Sequence, residues 1–212
     1  MVNTTFIFCL REISRKYISE LYPCFRNFLL LAGIFFFFNQ PCVNGQTGKL
    51  FFITSSRITF TSKAPLETIT ATSEKMKGVV DVSSRSVAFS VHNQSFVGFN
   101  SPLQQDHFHE NYIESEKYPD CTFSGKIIDD FDAKTDGNYP VRVKGLLNVK
   151  GIGVERIVKG TISVKGDELW MTASFFVPLS DHDIRIPRIV QQKIAPDVEI
   201  SFQVRLRKEA GK

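Results

Sequence analysis

The sequence predicts an all-β fold, an antiparallel barrel or sandwich with one or two short helices. Three observations carry that expectation. From Lys49 onward, short segments alternate apolar and polar residues with period two and are rich in Val, Ile, Phe and Thr. Turn-forming Gly, Asp, Asn and Ser residues separate them. Helical signals are confined to Pro102–Tyr112 and Ile186–Ile194. Eight or nine strands joined this way close into a barrel or stack as a sandwich.

The elements follow in order. Leu50–Thr54 and Arg57–Ser62 read as a first pair around Ser55-Ser56. Met76–Val82 and Ser86–His92 read as a second, turning through Ser83-Ser84-Arg85. In the latter strand Val87, Phe89 and Val91 share one face, because successive strand side chains point to opposite sides. Ser101 and Pro102 are a helix cap and first helical residue, so a helix is expected over Pro102–Tyr112. Cys121–Ile128 is the next strand, and polar Asp132–Asn138 ends in the turn Asp136-Gly137-Asn138. Val141–Lys150 and Arg156–Val164 are expected to pair across Gly151-Ile152-Gly153, and Gly166-Asp167 to turn into Glu168–Val177. Val198–Arg207 alternates Val198, Ile200, Phe202, Val204 and Leu206 with polar partners. No internal repeat or low-complexity linker interrupts the pattern, so residues 46–212 read as one domain.

Residues 1–45 read as a signal peptide. Phe28–Phe38 is an uncharged apolar run behind Arg26, too short for a spanning helix of about 20 residues. Val43 and Gly45 stand at −3 and −1 of a cleavage before Gln46, although the stretch ahead of the apolar run is long. The expected location is periplasmic or secreted. Of the four cysteines only Cys121 lies beyond residue 45, so no internal disulfide is expected there. Residues 46–212 carry 22 basic and 20 acidic residues. That balance argues against a nucleic-acid protein, whose binding face needs a strong cationic excess.

Residues 100–124, NSPLQQDHFHENYIESEKYPDCTFS, place a His-containing helix ahead of Lys117-Tyr118-Pro119 and a Thr122-Phe123 strand. Val143–Gly151 then reads as a glycine-flanked hairpin strand, and Leu179–Pro187 contains Asp181-His182-Asp183 and Ile186-Pro187. Together these segments resemble the YceI-like family across Lys49–Lys208. The resemblance implies an eight-stranded barrel shaped like a lipocalin, extracytoplasmic placement, and in some members a polyisoprenoid chain held inside. Lys150 stands where the family hairpin often carries His, and Gln104-Gln105-Asp106 replaces the basic-acidic pair common before the helical His.

The chemistry-bearing clusters are few. His107 and His109 lie two apart, which on a helix points them about 200° from each other, so they do not share an ion easily. The zinc pair of H-E-x-x-H is absent, and no metal or cofactor is expected. Asp181-His182-Asp183 reads as a turn, with a raised histidine pKa if the carboxylates lie close. No G-x-S-x-G elbow is present, and Cys121 sits in a strand without cationic neighbours, so no catalytic residue is assigned. Gly151-Ile152-Gly153 lacks a third glycine and reads as a turn, not a phosphate loop.

The expected function is a carrier that holds an apolar, lipid-like ligand, isoprenoid among the candidates, with transient contact to a membrane surface. Phe89, Val91, Phe123, Leu147, Trp170 and Phe175 are expected to form the wall and His107 and Tyr112 the rim. Two other readings stay open. One is an enzyme acting on a lipid-like substrate with His107 or His182 as base. The other is a filled barrel serving as an interaction module.

Overall fold

The computed structural model describes residues 50–208; the expected signal peptide over residues 1–45 lies outside them. Nine strands form the sheet: β1 Leu50–Lys63, β2 Thr68–Ser73, β3 Lys77–Asp81, β4 Ser86–His92, β5 Asp120–Ile127, β6 Gly137–Val149, β7 Ile152–Lys165, β8 Glu168–Pro178 and β9 Asp197–Lys208. Every pairing is antiparallel, and β9 returns to pair with β1, which closes the sheet. β2 pairs with the second half of β1 and β3 with its first residues. The two therefore share one position, and the barrel has eight strands around its circumference.

Several local expectations shift. Leu50–Lys63 is one strand rather than a hairpin. The register against β9 slips between Ile53 and Ser55, which puts a bulge at Thr54, and Ser55-Ser56 continue the strand opposite Arg205 and Val204. The Ser56 hydroxyl accepts from Met76 N–H at 3.1 Å and donates to the Glu74 carbonyl at 3.0 Å, which bridges the break between β2 and β3. The β6–β7 turn is Lys150-Gly151, both with positive φ (53° and 74°), as a two-residue hairpin of primed type requires. Ile152 and Gly153 belong to β7. Gly137 and Asn138 open β6 rather than turn. The first helix is α1, Pro102–His107, capped by the Ser101 hydroxyl accepting from Gln104 N–H. It widens into a π-turn over Phe108–Tyr112, closed by Ile113 N–H to the Phe108 carbonyl at 3.0 Å. The second expected helix reduces to a 3-10 turn, Arg188–Val190. Pro187 holds Ile186 out of the helical region, and Pro196 ends the segment.

Topology makes the two ends unlike. The β3–β4, β5–β6 and β7–β8 turns gather at one end. There Val80, Ile162, Leu169, Val204 and Leu206 are wholly buried and fill the lumen. Each such side chain contributes about 1.5–3 kcal/mol over its exposed state. Glu168 clamps this end from outside, accepting from Arg205 Nε and Arg207 Nε at 2.7 Å each. These arginines hold its carboxyl down at about 2. The other end carries the long connections, residues 93–119 and 179–196. Among the described residues no helix is long and apolar enough to cross a membrane.

Candidate functional site

Toward the end with the long connections, the inward side chains stop meeting and enclose a cavity of about 520 Å³. Its lowest residues are Phe89 on β4, Met171 on β8 and Phe202 on β9; the Phe89 and Phe202 rings lie 6.2 Å apart. Val91, Phe123, Leu147, Val158, Phe175 and Val198 continue the wall upward. This size and lining fall within the usual range for small-ligand sites. Of the residues expected from sequence, Phe89, Val91, Phe123, Leu147 and Phe175 line the wall, and His107 and Tyr112 line the mouth.

Trp170 is a correction. Leu169 and Met171 are the buried inward residues, so the strand period turns Trp170 outward. There it pairs with Ser163 and Arg205 across the ladders, and the Arg205 guanidinium lies 5.4 Å from its ring centre.

The mouth is covered by an aromatic cluster that sequence reasoning missed. Phe60 on β1 stacks on Phe108 at 5.1 Å and 19°. Phe96 and Phe99 pack on the Phe60 ring at 5.4 and 5.7 Å. All four line the cavity, so the helix-bearing connection is held on by apolar contacts that also face the lumen. Phe96 and Phe99 lie outside any regular element, where period two gives no signal for them.

Polar groups sit around this cover. The Glu67 carboxylate accepts from Asn100 Nδ2 and Gln104 Nε2 at 3.0 Å each. Those bonds, Asn100 first, lower its pKa. Burial raises that of Tyr112. Lys193 lines the mouth beside Glu67. His107 is exposed, while His109 binds the Ser115 hydroxyl at 3.0 Å, so the two imidazoles diverge. Among the described residues no group of three His, Cys, Asp or Glu side chains could hold a metal ion.

The β6–β7 hairpin ties both connections together, its tip Lys150-Gly151 to residues 93–119 and its β7 arm to residues 179–196. Lys150 pairs with Glu114 at 2.7 Å, and Gly151 lies against the Tyr118 ring, leaving no room for a Cβ. Asn93, wholly buried, donates to the Tyr118 carbonyl at 2.7 Å and accepts from the Cys121 thiol at 3.1 Å. On the other side β7 and β8 pair only from Gly160–Ala173 to Lys165–Glu168. Beyond that point the two strands have no mutual ladder. Arg156 spans the seam, donating to the Phe176 carbonyl at 3.2 Å and to Asp181 at 2.6 Å. His182 Nδ1–H donates to the Ile152 carbonyl at 3.0 Å, which fixes the neutral tautomer, since a carbonyl can only accept.

The histidine pKa runs opposite to the sequence expectation. Asp181 turns to Arg156 and Asp183 to Arg185, so His182 is not held between carboxylates. Burial lowers its pKa, and Arg156 adds to the effect. Below about 6.5 the unfolded chain therefore binds a proton that the folded chain resists. Stability is expected to be full above that window and to decline as pH falls into it. His109, also lowered by burial, adds in the same direction. Urea unfolding at pH 7 and pH 5 should show the loss, and His182→Gln should flatten it.

Cys121 offers no nucleophile. Burial pushes its thiol up to about 12 despite the Asn93 bond. Cys121 is expected to resist alkylation at pH 8 in the native protein and to react after denaturation, as followed by peptide mass spectrometry.

A family model for the YceI-like domain matches residues 53–206. No curated protein matches the sequence. Several solved structures share the fold. A polyisoprenoid binding domain from Saccharophagus degradans, implicated in plant cell wall breakdown, is 11% identical with a TM-score of 0.64, covering 76% of this chain and 99% of that one. Burkholderia cenocepacia BcnA is 17% identical with a TM-score of 0.59, covering 71% and 95%. A Campylobacter jejuni YCEI protein is 15% identical with a TM-score of 0.52, covering 64% and 82%.

Proposed function

Because the chain belongs to the YceI-like domain family, we propose that it is an extracytoplasmic carrier holding an apolar, lipid-like molecule, isoprenoid among the candidates, inside the barrel. The observation that carries this reading is the apolar cavity of about 520 Å³, floored by packed core at one end and ringed by polar groups at the other. Such a shape suits an amphiphile entering tail first. Each methylene taken from water contributes about 0.8 kcal/mol, so ten give roughly 8 kcal/mol before the cost of immobilising the ligand is subtracted. The polyisoprenoid-binding relative from Saccharophagus degradans supports the same ligand class.

Phe89, Val91, Phe123, Leu147 and Phe175 would contact the tail, and His107 and Tyr112 the head. Leu66, Leu103 and Ile189 stand exposed on segments at the mouth, with Arg188 and Lys193 nearby in sequence. This mixture suits brief contact with a membrane surface during loading. Catalysis is not part of the proposal: His182, one of the two candidate bases, is wholly buried and does not line the cavity. Native mass spectrometry of protein purified from its own compartment tests the reading. Bound mass that organic solvent removes is expected; a protein of bare chain mass that takes up no added alkyl ligand would overturn it.

A further inference from the structure

We propose that the cavity limits ligand length, burying a single chain of about seventeen carbons and no more. The inference rests on the carrier reading and adds the class of tail. A methylene occupies about the liquid volume of a water molecule, roughly 30 Å³. A volume of about 520 Å³ therefore takes one such chain, and a two-chain lipid cannot be wholly enclosed. Three isoprene units fit by the same measure, and longer isoprenoids leave the remainder outside.

The limit is set by the floor. Met171, Phe89 and Phe202 mark the lowest reach of the cavity. Directly below, the inward neighbours on β8 and β9, Leu169 and Val204, have no exposed surface, and neither has Ile162 on β7. The chain cannot go deeper without displacing close-packed side chains. From Met171 to Val177 the β8 wall rises about 20 Å along the strand, or about 15 Å along a barrel axis tilted by roughly 40°. A saturated chain advances about 1.2 Å per bond, as an extended backbone does. Only about twelve carbons fit straight, so a chain that fills the volume lies bent.

The test is a series of n-alkanoic acids from about eight to about twenty-four carbons, competing with a fluorescent alkyl probe on the full-length protein. Affinity should rise about fourfold per methylene, the equivalent of about 0.8 kcal/mol, and level off near seventeen carbons. Met171→Ala should move the break upward by about three carbons. Ala173→Leu, which adds bulk to the cavity wall without removing core, should move it downward by a similar amount. A rise that continues past about twenty carbons, or a break unmoved in both variants, would overturn the length limit while leaving the carrier reading intact. Failure of every acid and of the probe to bind would overturn both.

Discussion

A tryptophan at Ala173 is expected to remove most of the affinity for an apolar ligand while the barrel stays folded. Ala173 points inward on β8, opposite Phe202 on β9 and Gly160 on β7, and lines the cavity. An indole placed there takes the room of about five methylenes. At about 0.8 kcal/mol each the loss is roughly 4 kcal/mol, near a thousandfold in affinity. Because the group enters a cavity rather than packed core, little strain opposes it. Probe titration should show the loss, and thermal unfolding should shift by only a few degrees. Trp170→Ala is the companion control. Its side chain lies outside the barrel against Arg205, so binding should be unchanged.

The second large effect concerns folding. Gly125 on β5 and Gly145 on β6 face each other in register. A Cβ on Gly125 would come within 2.3 Å of the Lys144 carbonyl oxygen and 2.6 Å of Gly145 Cα. Both are backbone atoms, so the clash cannot be relieved by a rotamer change. Gly125→Val should therefore force the two strands apart, costing about 3 kcal/mol. Chemical denaturation should show a lowered midpoint or no folded baseline. Gly166→Ala makes the contrast: nothing lies within 4 Å of its Cβ position, and only the positive φ of 57° penalises the change.

Much of the barrel was legible because half-buried strands write their faces into the sequence. Val87, Phe89 and Val91 were separable from Ala88, Ser90 and His92 by alternation alone, and the structure turns the first set inward. Trp170 and Phe175 stand an odd number of residues apart on β8, so alternation cannot put both on the wall, and the buried Leu169 and Met171 turn Phe175 inward and Trp170 outward. Ser55-Ser56 imitated a turn, since small polar residues favour turns, yet they sit in a strand just past the bulge at Thr54. The cover was not legible. Phe96, Phe99 and Phe108 are brought to Phe60 by long-range packing, and no local period relates them. The seam bridged by Arg156 was equally hidden, because it depends on where β7 and β8 stop pairing and not on either strand's own pattern.

Locating a bound tail tests the account most directly. A crystal grown with a sixteen-carbon acid brominated at its terminal carbon would mark the chain end by anomalous scattering. The bromine is expected inside the barrel, against Met171, Phe89 and Phe202. A bromine on the outer face of the sheet, or a cavity filled by rearranged side chains with the acid excluded, would contradict the claim that this barrel shelters hydrocarbon.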